Sequence, residues 1–481
     1  MLFPTFSFLF VFLPLTFATF FWFTIKKGWL SQVSVLLTAS LIFYLLPNWE
    51  HAYIIVSSIL VNYFISLWLL RLPEGSGKPI LTGGIVFNLA VIVYFKYAFF
   101  GSQVLNGLFD TQLSFSQQIL PVGISFYTFQ QIAFLVDTYR YRNTAYRLKD
   151  YALFVTFFPQ LIAGPIVHHS QMMPQISAIN KKPFCWGLFN MGLLWLVIGV
   201  FKKIILADNF AKIANPVFSH ADKGAALSTA DSWSGSLSYT LQLYFDFSAY
   251  SEMAIGLALI FGVKLPLNFF SPYKSESIIE FWRRWHMTLS AFLRDYLYIP
   301  LGGNQKGRVR KYINLFTTML LGGLWHGAGW GFIVWGALHG IYLIINHFCR
   351  YIRLSVIIPK PLSIGITFFA VVVAWVFFRA TTLDGASNVL VSMFSFQSAI
   401  ESKFIESYHW VFICIGLFVV FFLPNVSQFM NYEGSDTANE KIVDRWNNAK
   451  ASTSLALVIG LAIGLTIMFM PEPTVFIYFN F

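Results

Sequence analysis

Long uninterrupted apolar runs are the feature that most constrains the fold of this 481-residue chain. The first five lie near residues 6–23, 29–46, 52–70, 80–100 and 119–136. Each is long enough for a helix to cross about 30 Å of hydrocarbon. The strands of a membrane barrel would alternate apolar and polar residues instead. The sequence therefore predicts an all-α, polytopic membrane protein.

Apolar runs continue through the second half of the chain, although less regularly. Their approximate bounds are 184–206, 233–262, 312–326, 329–349, 363–380, 408–424 and 453–470. With re-entrant and interfacial helices included, they predict about 11–13 membrane segments. We expect one integral membrane domain over residues 1–481, with a solvent-exposed connection between Asn431 and Lys450.

The net charge of +11 could indicate a nucleic-acid partner, but the basic residues lie in short loops between apolar runs. The loops at 24–28, 71–79 and 137–150 hold eight Lys and Arg residues, whereas those at 47–51 and 101–118 hold none. Basic loops face the cytoplasm in membrane proteins. We therefore expect an extracytoplasmic amino terminus, a retained first span and no nucleic-acid partner.

Several classes of site are excluded by missing motifs. The three cysteines, Cys185, Cys349 and Cys414, form no CxxC pair, and no histidine stands at zinc-ligand spacing. Neither a disulfide framework nor a metal site is expected. The chain also lacks GxSxG, Walker A, HExxH and dinucleotide-binding fingerprints. Serine hydrolase, ATPase, zinc protease and dehydrogenase functions therefore have no support.

Two stretches depart from simple membrane spans. Residues 151–168 hold two prolines and a glycine within one apolar run, which predicts a broken or re-entrant segment that lines a cavity. Residues 276–298 place apolar side chains at helical spacing of three and four, with charged residues on the other faces. This pattern predicts an amphipathic helix that lies along the interface or dips into the protein.

A basic segment follows, from Gly302 to Lys311, and it is predicted to be a flexible loop. Its Lys306, Arg308 and Arg310 would suit the phosphates of an anionic donor such as coenzyme A. They could equally orient the chain in the membrane or contact lipid phosphates. Both interpretations remain open.

The segment Leu321–Gly331 places an imidazole, His326, among closely spaced glycines and tryptophans. Gly323 and Gly327 have the GxxxG spacing that allows close backbone approach, and Trp325 precedes the histidine. Burial would keep His326 neutral and able to accept a proton. Alternatively, the side chain forms a hydrogen bond with a neighbouring helix, and the local sequence does not separate these interpretations.

Other polar residues in apolar surroundings are candidates for the same site. His286 can act with His326 only through tertiary packing, because it lies forty residues earlier. His339 would point about 220° away from His326 on an unbroken helix, so we expect it to lie elsewhere. Asp246 and Glu252 either line a polar pathway or pair with an arginine that holds the helices together.

Two stretches carry most of a resemblance to a known family: residues 281–304, with RRWH at 283–286 and LRDYLYIPLGGN at 293–304, and GGLWHG at 322–327. Further matches lie at 8–14, 94–97, 120–130, 157–166, 244–256, 328–340 and 476–481. With these stretches in this order, the chain resembles the membrane-bound O-acyltransferases (MBOAT), and within them the bacterial alginate O-acetyltransferase branch.

The resemblance implies a helical bundle with a central tunnel in the bacterial inner membrane. There a cytoplasmic donor, expected to be acetyl-CoA, meets an acceptor from the opposite side. The essential histidine of the family's WHG motif maps onto His326, and the histidine of RRWH, which looks like its partner, maps onto His286. The resemblance also implies a periplasmic or surface partner of SGNH-like type that modifies a polysaccharide.

We therefore hypothesise that His326 is the general base for an acceptor hydroxyl, while His286 orients a reactant or stabilises the oxyanion. One alternative within the family is D-alanyl transfer to teichoic acid. A transporter or lipid flippase that uses Asp246, Glu252 and the histidines as a relay is an alternative of another class. The acceptor could be alginate, cellulose, peptidoglycan or another exopolysaccharide.

Overall fold

The structure is a computed structural model that describes residues 3–26, 30–142, 145–180, 184–353, 357–395, 402, 404–432, 453–469 and 476–477. Over these residues all regular structure is helical, as the apolar runs predict. The predicted connection from Asn431 to Lys450 lies outside the described residues beyond Tyr432.

The chain forms two compact units, and each is built from three separate stretches. The first comprises Met1–Val200, Tyr250–Pro266 and Tyr432–Gly464. The helices of its long first stretch are Phe8–Phe12, Leu13–Thr19, Phe20–Lys26, Gln32–Asn48, Trp49–His51, Ala52–Arg71, Lys78–Ile92, Val93–Tyr97, Ala98–Phe109, Ile124–Tyr141, Leu148–Thr156, Phe158–Leu161, His169–Ile179 and Trp186–Phe201.

The second unit comprises Phe201–Ala249, Leu267–Asn431 and Leu465–Phe481. Its helices are Lys202–Ala207, Asp208–Asp222, Pro272–Lys274, Ile278–Arg284, Met287–Leu293, Arg294–Tyr298, Gly307–His326, Trp330–Tyr351, Lys360–Arg379, Leu383–Phe394, Ser407–Phe422 and Val426–Met430. Three of the described helices contribute residues to both units: Trp186–Phe201 by its last residue, Thr229–Ile260 and Thr453–Met468.

Six of the described helices are long and apolar enough to cross a membrane. They are Trp49–Arg71, Lys78–Phe109, Trp186–Asp222, Thr229–Ile260, Trp330–Tyr351 and Lys360–Arg379. Three shorter apolar helices are Phe8–Phe23, Gln32–Leu46 and Ser407–Phe422. The multi-pass helical fold is therefore confirmed, although the estimate of about 11–13 segments also counted shorter and interfacial pieces.

Two predicted elements of the first unit can be compared directly with the structure. The run at 119–136 was placed too early, because its helix spans Ile124–Tyr141 and follows a left-handed Gly123 with φ of 73°. The predicted break within 151–168 is confirmed. One helix ends at Thr156, a short helix spans Phe158–Leu161, and the next begins at His169.

A buried amide network joins three helices of the first unit. The side chains of Asn62 and Asn88 exchange hydrogen bonds of 3.1 and 2.6 Å. Asn62 also donates to Gln131 Oε1, which accepts a bond of 3.1 Å from Ser58. All four side chains are buried. Such bonds hold membrane helices together because hydrocarbon offers no competing partner.

Replacing Asn62 by Leu should therefore destabilise the protein, because Asn88 and Gln131 lose hydrogen-bond partners. We expect a loss of about 1–3 kcal/mol, measured as a lower Tm of the detergent-purified protein. The Asn62→Leu/Asn88→Leu double variant should recover part of this loss, because both members of the pair are then apolar. Additive losses in the double variant would contradict a reciprocal pair.

In the second unit, the predicted amphipathic helix at 276–298 is interrupted. Helices span Ile278–Arg284 and Met287–Leu293, and His286 between them adopts a left-handed conformation with φ of 44°. The single-helix prediction is wrong here because Asn268 O accepts a 3.0 Å bond from Met287 N, so a tertiary contact replaces helical pairing. The apolar positions are nevertheless buried, so the segment dips into the protein.

The predicted basic loop is shorter than expected. Its irregular part ends at Lys306, and the helix Gly307–His326 begins directly afterwards. Arg308 and Arg310 therefore lie in the first turns of this helix and not in a flexible loop. Gly307 has φ of 82°, a conformation that lets the chain enter the helix sharply.

Candidate active site

A tight helical hairpin positions the glycine-rich histidine motif. The helices Gly307–His326 and Trp330–Tyr351 are joined by three residues, of which Gly327 and Gly329 are extended. A Cβ atom on Gly323 would lie 2.9 Å from Gly336 Cα, too close for any side chain. The glycine spacing therefore permits the close backbone approach that the sequence predicts.

His326 is the last residue of its helix, and 4% of its surface is exposed. Its ring lies 4.8 Å from Trp325, 5.0 Å from Trp335 and 5.2 Å from Phe378, measured between ring centroids. Residues of three different helices therefore surround the imidazole. The general-base role of His326 stays a prediction.

His286 is held in place by hydrogen bonds from the preceding irregular segment. It is completely buried, and its Nδ1 lies 3.1 Å from Asn268 Oδ1. The same Oδ1 accepts bonds from the backbone N–H of Thr288 at 3.4 Å and from its hydroxyl at 2.9 Å. Because the backbone N–H can only donate, this amide oxygen is an acceptor.

This network determines the tautomer of His286. Since Asn268 Oδ1 accepts, His286 Nδ1 must carry the hydrogen, and Nε2 of the neutral ring carries the lone pair. His286 lies outside the six candidate spans, and burial lowers the pKa of its imidazole to about 3. A neutral Nδ1–H ring can accept a hydrogen bond or a proton at Nε2, but it cannot donate there.

The rings of both histidines lie near the same tryptophan. Trp325 is 4.8 Å from the His326 ring and 6.3 Å from the His286 ring. Phe247 contacts His286 at 4.8 Å from another helix of the same unit. The tertiary packing therefore brings together the pair that sequence spacing alone could not connect.

A cavity of about 640 Å³ opens in the same unit beside this aromatic region. Its wall includes the cationic side chains of Arg283, Arg294 and Lys311. Arg294 pairs with Asp295 at 2.7 Å. Among the residues that the structure describes, Arg283 makes no ion pair, and Lys311 contacts His347 at 3.4 Å but no carboxylate. Two cations without carboxylate partners favour an anionic ligand.

Successive aromatic contacts connect the cavity wall with His326. Trp282 lines the cavity and donates from Nε1 to His339 Nδ1 at 3.3 Å. The His339 ring lies 4.8 Å from Trp335, whose ring contacts His326 at 5.0 Å. The expectation that His339 lies elsewhere is therefore wrong. It assumed an unbroken helix, whereas the chain reverses direction after His326.

The basic residues singled out for donor phosphates lie away from this cavity wall. Lys306, Arg308 and Arg310 are exposed and do not line the cavity. The Arg308 guanidinium lies 4.9 Å above the Tyr351 ring. Their proposed phosphate contacts stay a prediction, and the cavity brings Arg283 and Lys311 forward as further candidates.

The two acidic residues fall in different units. Asp246 is buried and pairs with Lys203 at 2.9 Å, so its partner is a lysine and not the expected arginine. Lys203 also contacts Asp208 at 2.7 Å, and Ile477 N donates to Asp246 Oδ2 at 2.9 Å. This network holds elements of the second unit together. Glu252 is buried but belongs to the first unit.

Comparison with known proteins shows which family this chain belongs to. The family model described as MBOAT, membrane-bound O-acyltransferase family, matches residues 15–383. The chain belongs to the membrane-bound O-acyltransferase family. It is therefore an acyltransferase, and both candidate histidines lie within the part of the chain that matches this MBOAT model.

Two of the similar proteins match most of the chain, and a third matches about half of it. A peptidoglycan O-acetyltransferase of Helicobacter pylori is 39% identical and covers 100% of this chain and 98% of its own length. The Azotobacter vinelandii protein named "Probable alginate O-acetylase AlgI" is 42% identical over 82% of this chain and 78% of its own length. A teichoic acid D-alanyltransferase of Streptococcus thermophilus is 27% identical over 47% of this chain and 56% of its own length.

The sequence alone did not identify several residues of this MBOAT site as candidates. Arg283 stood within a recognised motif but was assigned only to a polar helix face. Asn268 and Trp335 carried no spacing signal, because each contacts a histidine on a different element. Only the packing of separate helices reveals such residues.

Proposed function

We propose that this acyltransferase transfers acetyl groups from cytoplasmic acetyl-CoA towards an extracytoplasmic polysaccharide of the cell envelope. The observation that carries this proposal is that His286 and His326 both contact Trp325, in the same unit as a cavity whose wall holds Arg283 and Lys311, neither of which contacts a carboxylate among the described residues. The O-acetylating relatives match the chain almost from end to end or over most of its length, which supports acetyl as the transferred group.

Acetyl-CoA suits the cavity by charge and by size. Its phosphates match the cationic side chains of Arg283 and Lys311, and its uncharged pantetheine arm matches the apolar surfaces of Trp282, Met319 and Leu343. A volume of about 640 Å³ is of the order expected for a pocket that holds part of a large ligand. The arm would then carry the thioester towards His326.

In the proposed reaction, His326 removes the proton from an acceptor hydroxyl as its oxygen attacks the thioester carbonyl. A C–O bond forms and the C–S bond breaks. The coenzyme A thiolate then receives the proton from His326 and leaves as the thiol. His286 orients a reactant through its Nε2 lone pair. The alternative role for His286, oxyanion stabilisation, is disfavoured because the Asn268 bond places the hydrogen on Nδ1.

We propose peptidoglycan as the first acceptor to test, because the peptidoglycan O-acetyltransferase matches 98% of its own length. Alginate is the second candidate acceptor, because the Azotobacter protein named as a probable alginate O-acetylase is 42% identical to this chain. We further propose a periplasmic or surface partner of SGNH-like type that delivers the acetyl group. The protein would lie in the bacterial inner membrane with an extracytoplasmic amino terminus.

The proposal is tested by the alkali-labile acetate content of envelope polymers in cells with and without the gene. Deletion should remove acetate from one polymer, and expression of the wild-type protein should restore it. Permeabilised cells supplied with radiolabelled acetyl-CoA should transfer label to that polymer. Labelling with D-alanine instead of acetate would favour the teichoic acid alternative, and solute transport without acetyl-CoA turnover would favour the transporter alternative.

The donor cavity can be tested by Arg283→Gln. We expect the KM for acetyl-CoA to rise about tenfold with little change in kcat, because one charged hydrogen bond to phosphate is lost. The measurement is label transfer in permeabilised cells over a range of acetyl-CoA concentrations.

Arg284→Gln is the matched control, because Arg284 pairs with Glu280 at 2.6 Å and does not line the cavity. Its KM should stay at the wild-type value. The same measurement on Arg310→Gln tests the sequence-based prediction. A raised KM in that variant, with none in Arg283→Gln, would move the phosphate site away from the cavity.

A further inference from the structure

Three buried N–H groups of the second unit have no hydrogen-bond acceptor among the residues that the structure describes. They are Trp335 Nε1, Trp375 Nε1 and His339 Nε2. All three side chains are almost completely buried. Leaving a buried donor unsatisfied costs about 1–3 kcal/mol, so an acceptor that reaches these groups would gain hydrogen bonds that the described residues do not supply.

The tautomer of His339 shows that its Nε2 is a donor. Trp282 Nε1 can only donate, and it donates to His339 Nδ1 at 3.3 Å. Nδ1 therefore carries the lone pair, and Nε2 of the neutral ring carries the hydrogen. This arrangement is the opposite of His286, whose Nδ1 carries the hydrogen.

The three donors form one cluster, which we call the donor cluster: Trp335, His339 and Trp375. Their ring centroids lie 4.8 Å apart for Trp335 and His339, 5.7 Å for Trp335 and Trp375, and 6.2 Å for His339 and Trp375. The cluster stands between a residue of the cavity wall, Trp282, and the ring of His326.

We propose that the donor cluster binds the carbonyl oxygen of the acyl thioester and stabilises the oxyanion that forms there. This inference rests on the proposed function. Acyl transfer places negative charge on the carbonyl oxygen, which requires N–H donors in a water-poor site. Neutral His286 cannot supply one from Nε2, whereas the cluster carries three N–H groups without an acceptor among the described residues.

The reaction remains balanced with this assignment. The acceptor oxygen adds to the carbonyl carbon as its proton passes to His326, and the electron pair of the C=O bond moves to the oxygen held by the cluster. When that pair returns, the C–S bond breaks. The thiolate leaves and receives the proton from His326. His339, Trp335 and Trp375 donate hydrogen bonds throughout and exchange no proton.

Conservative substitutions test the donor cluster. Trp335→Phe, Trp375→Phe and His339→Phe each keep an aromatic ring but remove one N–H. We expect kcat for label transfer from radiolabelled acetyl-CoA to fall by about 100-fold, with the KM for acetyl-CoA little changed. His339→Gln should retain much more activity than His339→Phe, because the amide keeps an N–H near the position of Nε2.

Trp233→Phe is the matched control, because Trp233 Nε1 already donates to Met393 O at 3.0 Å. It should keep the wild-type kcat at equal protein level in the membrane. The inference is overturned if the three cluster variants lose stability but keep a kcat within about twofold of wild type, as expected for donors satisfied by structural water. Failure of the proposed function would look different, because the wild-type protein itself would then transfer no acetyl label.

Discussion

His326→Gln should abolish acetyl transfer while the protein reaches the membrane at its normal level. The glutamine approximates the size of the imidazole, but its amide nitrogen cannot accept the hydroxyl proton. Loss of a general base lowers the rate by about 10²–10⁴-fold. The measurement is alkali-labile acetate on the envelope polymer, together with label transfer from acetyl-CoA.

The matched control is His220→Gln, a histidine of the same unit that contacts Phe404 and takes no part in the proposed site. This variant should acetylate the polymer normally. If His326→Gln retains wild-type acetate in a strain where deletion of the gene lowers it, His326 is not the base. That result would favour the transporter alternative, in which Asp246 and other histidines form a relay.

Asn268→Leu should lower kcat by at least about 100-fold, the second-largest effect that we expect. Asn268 Oδ1 keeps the hydrogen of His286 on Nδ1, and its loss leaves the ring free to adopt the wrong tautomer. Thr288→Val should cause a far smaller loss, because it removes one bond to the same oxygen but keeps the bond to His286. Equal losses in both variants would indicate a structural role only.

Asn268→Asp keeps the acceptor and should retain activity near neutral pH, but with a changed pH profile. Burial lowers the pKa of His286 to about 3, so the wild-type ring stays neutral well below pH 7. An adjacent carboxylate favours the imidazolium and raises this pKa. In a profile of kcat against pH, measured between about pH 5 and pH 8, the fall in kcat on the acidic side should therefore occur at higher pH in this variant. If this fall occurs at the same pH as in the wild type, the protonation state of His286 does not affect the rate.

The local sequence predicted His326 as a candidate site residue, because an imidazole between glycines and tryptophans is unusual in an apolar run. The resemblance then singled out His286 through the RRWH stretch. The sequence did not predict the break at His286, because the apolar spacing across 278–292 is continuous. A hydrogen bond from Met287 N to Asn268 O overrides that periodicity.

Hydrophobic run length determined the helical membrane class, and specific motifs pointed to the family, because both signals lie in contiguous residues. Tertiary structure alone decided the partners: Lys203 for Asp246, Asn268 for His286, and Trp282 for His339. It also placed Arg283 and Lys311 around one cavity. Each of these contacts joins residues from different helices or loops, and no periodicity within a single segment encodes where a second segment packs.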